Sequence, residues 1–188
     1  MYSSILNTLF VAGSALAIPT NTRRAESCVD ISTDMKLWKV SQFDYHSSEV
    51  FSTPAHQNSW GYVNFTLENP AVDYRPICSA SSNQLSEFFY GTVVYDCKVE
   101  DDGAGGAATF TYSRPSGELM INQTWACTEE EALFEAEGGI DLDLKCKESE
   151  WQNPDWSQGE IYSTRNVDCN FVDAETPITS IRAVRRKE

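Results

Sequence analysis

The chain has 188 residues, 14 basic and 28 acidic, for a formal net charge of −14 at neutral pH. A surface so acidic repels nucleic acid and anionic lipid, which excludes polyanion binding and keeps the protein soluble. The length is that of one domain of ordinary size.

Residues 1–17 read as a secretory signal. The apolar run from Ile5 to Ala17 is too short for the roughly 20 helical residues that span a bilayer, and it ends in Ala15-Leu16-Ala17, the small-residue pattern that signal peptidase cuts. Residues 18–24 read as a short pro-piece ending in the dibasic pair Arg23-Arg24. Removing residues 1–24 takes these two from the 14 basic residues and nothing from the 28 acids, so the mature balance is 12 against 28, or −16. The mature protein is expected outside the cell, with no membrane contact once the signal is cleaved. Residues 25–176 are expected to form the domain, and 177–188 a last strand with a basic tail (Arg182, Arg185, Arg186, Lys187).

Strand signals dominate from there. Residues 36–43 are a first candidate. In 59–67, Val63, Phe65 and Leu67 share one face while Trp60, Tyr62, Asn64 and Thr66 share the other. A single helical turn is expected over 82–89. In 92–99, Val93, Tyr95, Cys97 and Val99 are expected inward. Residues 108–113 follow, and 118–127 places Leu119, Ile121, Trp125 and Cys127 on one side with Asn122 and Thr124 on the other. Residues 129–137 are a weak helical candidate, or else strand around Phe134. The cleanest alternation is 140–146, where Ile140, Leu142, Leu144 and Cys146 oppose Asp141, Asp143 and Lys145. Residues 161–171 and 177–184 complete about eight strands, and no long amphipathic helix is credible. The turn-rich connections Asp101 to Gly106, Arg114-Pro115-Ser116-Gly117 and Gly138-Gly139 separate these runs. The fold class predicted is all-β, a single compact antiparallel barrel or sandwich stapled by disulfides.

The sequons Asn64-Phe65-Thr66 and Asn122-Gln123-Thr124 both put their asparagine on an outward face, as an attached sugar requires. The cysteines Cys28, Cys78, Cys97, Cys127, Cys146 and Cys169 all lie beyond the leader, and an even count in an oxidising compartment reads as three disulfides. No C-x-x-C pair exists and His46 and His56 are the only histidines, so zinc-site spacing is absent and no metal or cofactor is expected. Six cysteines allow fifteen pairings. A hairpin of 118–127 with 139–146 would set Cys127 and Cys146 at opposite ends, beyond the roughly 7 Å Cα limit for a bridge. Cys78 with Cys97 closes a loop of modest length. Cys146 with Cys169 and Cys28 with Cys127 then follow, the chief rival being Cys127 with Cys146 and Cys28 with Cys169.

No catalytic residue stands out. A G-x-S-x-G turn is missing, and both histidines lie in a polar segment without a marked nucleophile. The glycine-rich Gly103 to Gly106 lacks the lysine and following helix of a phosphate cradle. Two acids about 5 to 9 Å apart across a groove would serve glycoside hydrolysis, and Glu87, Glu118 and Glu160 are the candidates; Asp141 and Asp143 face solvent and lack the environment of a general acid. The aromatics Trp60 and Tyr62 on one strand face, and Trp151 and Trp156 in a loop, form a candidate binding surface for sugars, phenolics or a protein.

Several segments taken in order carry a resemblance. Ser27-Cys28, Leu37 to Phe43 (LWKVSQF), Ser59 to Phe65 (SWGYVNF), Cys78-Ser79-Ala80, Leu85, Tyr95-Asp96-Cys97 and Ser113 to Leu119 (SRPSGEL) resemble the Alt a 1 allergen family of secreted fungal proteins, over about 27–172. The resemblance implies a compact antiparallel β-barrel, secretion by a filamentous fungus, roles as allergens, elicitors or effectors at the plant surface, and no catalytic residues. It also implies that the cysteine matching Cys28 joins two subunits, with a hydrophobic or phenolic ligand where they meet. Cys127 departs from the pattern, and an internal partner for Cys28 would remove that covalent dimer; neither the dimer nor its pocket is carried over. The stretch Asp141 to Glu150 and the loop Trp151 to Trp156 also look longer than the simplest members require. The function expected is non-enzymatic binding of a host plant protein or a small hydrophobic or phenolic ligand, by a monomer or homodimer. The alternatives are a cell-wall polysaccharide hydrolase and a carbohydrate-binding module.

Overall fold

The computed structural model describes residues 26–99 and 105–184. The expected leader (1–17) and pro-piece (18–24) and the tail residues Arg185, Arg186 and Lys187 lie outside the described residues. One helix, α1 (Cys28–Asp34), precedes ten strands: β1 (Leu37–Thr53), β2 (His56–Glu68), β3 (Ile77–Ser82), β4 (Tyr95–Lys98), β5 (Ala107–Tyr112), β6 (Glu118–Cys127), β7 (Ala132–Asp141), β8 (Cys146–Gln152), β9 (Ser163–Cys169) and β10 (Val172–Val184). All pairings are antiparallel. Strands β1 to β7 follow in sequence around the sheet, and β10 closes it by pairing with β7 on one side and β1 on the other, giving an eight-stranded barrel.

The long strand β1 does two jobs. Its first half, Leu37 to Phe43, pairs with β10 and closes the barrel; its second half, His46 to Phe51, pairs with β9, which in turn pairs with β8. A bulge between Ser41 and Asp44 separates the halves. There Gln42 adopts φ 56° and donates its backbone N–H to Asp173 Oδ1 at 2.7 Å. A bulge adds a residue to one strand, bends it and increases its twist. The second half of β1, the first half of β2 and the β9/β8 pair thus form a four-stranded sheet that extends beyond the barrel.

Aromatic side chains fill the interior. Phe43, Phe65, Phe110 and Tyr112 are almost wholly buried. Phe43 stacks on Phe65 at 5.7 Å and meets Tyr112 at 5.1 Å, within the range of favourable aromatic pairs. The loop between β3 and β4 closes one end with Phe88 and Phe89. Gly61 makes room for it, because a Cβ there would come 2.6 Å from Phe88 Cβ. Helix α1 covers another part of the core. It opens on a capping box in which Asp30 N–H donates to Ser27 Oγ at 3.2 Å and Ser27 N–H donates to Asp30 Oδ2 at 3.3 Å.

Three bridges staple the chain: Cys28–Cys127 with 99 residues of separation, Cys78–Cys97 with 19, and Cys146–Cys169 with 23. The last two join directly opposed residues of β3/β4 and of β8/β9. Cys28–Cys127 ties α1 to the end of β6.

The barrel has its eight strands, but not all are the segments expected. The clean alternation over 140–146 is not one strand: Asp141 ends β7, Cys146 begins β8, and residues 142–145 cross between them. Its facing pattern survives, with Leu142 buried and Asp141, Asp143 and Lys145 exposed. Alternation reports which way side chains point, and a crossing segment packed over a core shows it without ladder partners. The expected hairpin turn near 132 lies earlier, since Cys127 opposes Ala132 and Glu118 opposes Asp141. Residues 82–89 hold a turn rather than a helix, and 132–137 is strand. Val93 faces solvent, because β4 begins only at Tyr95. The last strand starts at Val172, so it is part of the barrel wall and not an appendage to it.

Candidate functional site

The extended sheet presents two chemically different faces. On the face continuous with the barrel interior, Glu49 opposes Arg165, which opposes Glu150. The Arg165 guanidinium lies 2.9 Å from Glu148, 3.5 Å from Glu49 and 3.5 Å from Glu150. The hydrogen bond with Glu148 leads in raising the Arg165 pKa further above its ordinary value. This network ties β1, β9 and β8 together across the sheet.

The outward face is aromatic at its margins and polar in its middle. One row runs Trp60, Ser48, Asn166, Ser149 across β2, β1, β9 and β8. The row on one side runs Tyr62, His46, Asp168, Lys147, and the row on the other runs Asn58, Val50, Thr164, Trp151. In the centre Ser48 Oγ donates to Asn166 Oδ1 at 2.8 Å. Trp60 is 45% exposed, Tyr62 36% and Trp151 51%. Strand spacing sets Trp60 and Trp151 about 14 to 15 Å apart across the sheet and about 7 Å along it. The face therefore has flat rings on its two margins, Trp60 and Tyr62 on β2 and Trp151 on β8, with hydroxyl and amide groups between them.

The candidate residues do not all meet there. Trp60, Tyr62 and Trp151 share the outward face. Trp156 belongs to the β8/β9 loop, where it packs on Tyr162 at 5.7 Å and donates its indole N–H to the Glu160 carbonyl at 3.0 Å. His46 stacks on Tyr62 at 5.0 Å, with Nδ1 3.0 Å from Asp44 Oδ2. In the sequence His46 belongs only to a polar segment; its place on β1 opposite Tyr62 follows from the pairing register. Both sequon asparagines are half-exposed on outer faces, Asn64 on β2 and Asn122 on β6.

The acids considered for hydrolysis belong to different segments of the fold. Glu87 is in the loop after β3, Glu118 opens β6 beside Asp141, and Glu160 uses its carboxylate within its own loop, accepting from Ser157 N–H at 3.1 Å and from the Asn153 amide at 3.3 Å. His56 Nδ1 lies 2.8 Å from Ser52 Oγ where β1 turns into β2, but the structure records no third group orienting that ring. Among the described residues no cluster of three or more His, Cys, Asp or Glu is placed to hold a metal. Away from the sheet, Glu68 has its pKa lowered by the Ser41 hydroxyl at 2.9 Å, with smaller effects from Arg75 and Lys39. Burial raises the phenol of Tyr45, against which the Arg114 guanidinium stands 4.9 Å from the ring centre.

Away from the sheet, a depression of about 650 Å³ opens beside the Cys28–Cys127 bridge. Tyr74 and Val72 line it, with Asp73, Glu129 and Glu130 contributing acid.

The family model described as Alternaria alternata allergen 1 matches residues 40–169, more than half of the chain. The chain belongs to this allergen family. No curated protein and no solved structure matches it. The family is not a known enzyme family. The matched segment of the allergen family runs from within β1 to the end of β9 and contains both ends of the Cys78–Cys97 and Cys146–Cys169 bridges. It contains Cys127 but not Cys28. This member of the allergen family therefore holds its N-terminal cysteine in an internal bridge to β6.

Proposed function

We propose that this allergen-family member is exported and works outside the cell as a binding protein without chemistry of its own, in an effector-like or allergen-like role toward a host plant protein or a small hydrophobic or phenolic ligand. The observation that carries the reading is the outward face of the extended sheet, where Trp60 and Trp151 stand exposed on a support braced behind by the Arg165 ion network. Exposed aromatics on a rigid sheet supply large contact area at small entropic cost.

Trp60→Ala with Trp151→Ala tests it. Both side chains project from the outer face, so the variant is expected to fold as the parent does. Titration with plant phenolics and with purified cell-surface proteins, followed by Trp fluorescence and by calorimetry, is expected to lose at least tenfold in affinity, or about 1.4 kcal/mol. Turnover of a plant or fungal wall polymer that disappears on substitution of a single Glu would overturn the reading in favour of a hydrolase.

A further inference from the structure

We propose that Asn64 carries an N-linked glycan whose first N-acetylglucosamine folds back along β2 onto the open side of Tyr62, a cradle that His46 backs from behind. The inference rests on the export reading above, since the sugar is added in the secretory route. The step is a transfer from a polyprenyl-diphosphate-linked oligosaccharide: the Asn64 Nδ2–C1 bond forms, the C1–O bond to the lipid diphosphate breaks, the amide gives up one proton, and the lipid diphosphate leaves.

The strand geometry is what selects Asn64. Period-two facing puts Tyr62, Asn64 and Thr66 on one side of β2, so ring, acceptor amide and sequon hydroxyl form a single file about 7 Å apart. Behind the ring on β1, His46 stacks against Tyr62 at an interplanar angle of 19° and is itself held by Asp44, the residue opposite Asn64. In front, on β3, the residues opposite Tyr62 and Asn64 are Ser81 and Ser79. These are small side chains, and they leave the flank of Tyr62 away from His46 uncrowded. A sugar ring has one face of C–H groups, and laying it on the open side of Tyr62 removes apolar surface of both from water.

The second sequon lacks this arrangement. Two positions before Asn122 stands Met120 rather than a ring, and its thioether lies across Gly139, where a Cβ would meet Sδ at 2.4 Å. The Glu135 carboxylate, whose pKa is lowered chiefly by its hydrogen bond with Arg182, draws a smaller contribution from the Asn122 amide. The cradle accounts for Tyr62 and leaves Trp60 and Trp151 to the partner.

The experiment uses the full chain secreted from a glycosylating yeast in two arms, one with the native leader and one with the host's own leader. In the second arm Asn122→Gln isolates the Asn64 site, and Thr66→Ala removes its sugar without touching the asparagine. Glycopeptide mass mapping is expected to show Asn64 occupied. The glycosylated protein is expected to melt above Thr66→Ala by about 2 to 4 °C, the equivalent of about 1 kcal/mol in a domain of this size. In Tyr62→Ser that difference is expected to vanish, as the coupling in a double-mutant cycle. A bare Asn64, or a difference that survives Tyr62→Ser, overturns the proposal. Retention of Met1 on cell-associated protein in the native-leader arm overturns the export reading instead, while the host-leader arm still decides the cradle.

Discussion

Trp125 donates its indole N–H to Ser32 Oγ at 2.9 Å, joining residues 93 apart in sequence, both wholly buried. This bond, with the adjacent Cys28–Cys127 bridge, fixes α1 against β6. Ser32→Ala leaves a buried N–H without a partner and is expected to cost about 1 to 3 kcal/mol. Urea unfolding checks it; a midpoint shift with no change in slope is the signature expected of a stability change.

The Cys28–Cys127 bridge closes the longest loop of the three. Replacing both cysteines by Ala is expected to lower stability by about 2 to 5 kcal/mol, with the other two bridges left in place. Cys127→Ala alone frees the half-exposed Cys28 thiol. Covalent dimers on a non-reducing gel are the expected outcome, absent from the parent and from the double variant.

At the barrel seam, β7 and β10 approach so closely at Gly138 that a Cβ would lie 2.1 Å from the Pro177 carbonyl oxygen. The obstacle is backbone and cannot swing aside. Gly138→Ala is expected to destabilise by about 1 to 3 kcal/mol through overpacking. Equal thermal melts of the parent and Gly138→Ala would refute the tight seam.

Burial raises the phenol pKa of Tyr45, Tyr74, Tyr95 and Tyr112, most strongly for Tyr112. In the unfolded chain these groups ionise near pH 10, as free tyrosine does. Because the folded value is the higher, their contribution is complete below about pH 10 and is lost as pH rises toward the folded value. Denaturation midpoints are therefore expected to fall above about pH 10, together with delayed tyrosinate absorbance. Tyr112→Phe is expected to flatten the fall. At neutral pH it is expected to be neutral or mildly stabilising, because the Tyr112 hydroxyl is buried with no hydrogen-bond partner.

Side-chain periodicity made much of the barrel readable. Val63, Phe65 and Leu67 point inward from β2, and Leu119, Ile121, Trp125 and Cys127 from β6, as their spacing requires. What the period does not carry is pairing: 140–146 alternates although half of it has no ladder partner. Strand β3 went unseen because Cys-Ser-Ala-Ser-Ser lacks the bulky residues that mark a strand, yet it pairs over six residues with β2. Helix α1 is short and has no apolar period, but Ser27 and Asp30, spaced as a capping box, were a signal for it. In the candidate site, Trp60 and Tyr62 were placed by alternation alone. That Trp151 joins them depends on β9 and β8 attaching to the far half of β1, a contact between segments more than a hundred residues apart that no local pattern encodes.

Closing a barrel removes every raw strand margin, but the extension of β1 and β2 restores two, one along β8 and one along the start of β2. Strand β8 puts Lys147, Glu148 and Glu150 on its margin, and such charges discourage a second copy from adding itself there. The extended sheet thus holds its aromatic plate out into water behind a charged margin that works against edge-to-edge pairing of two copies.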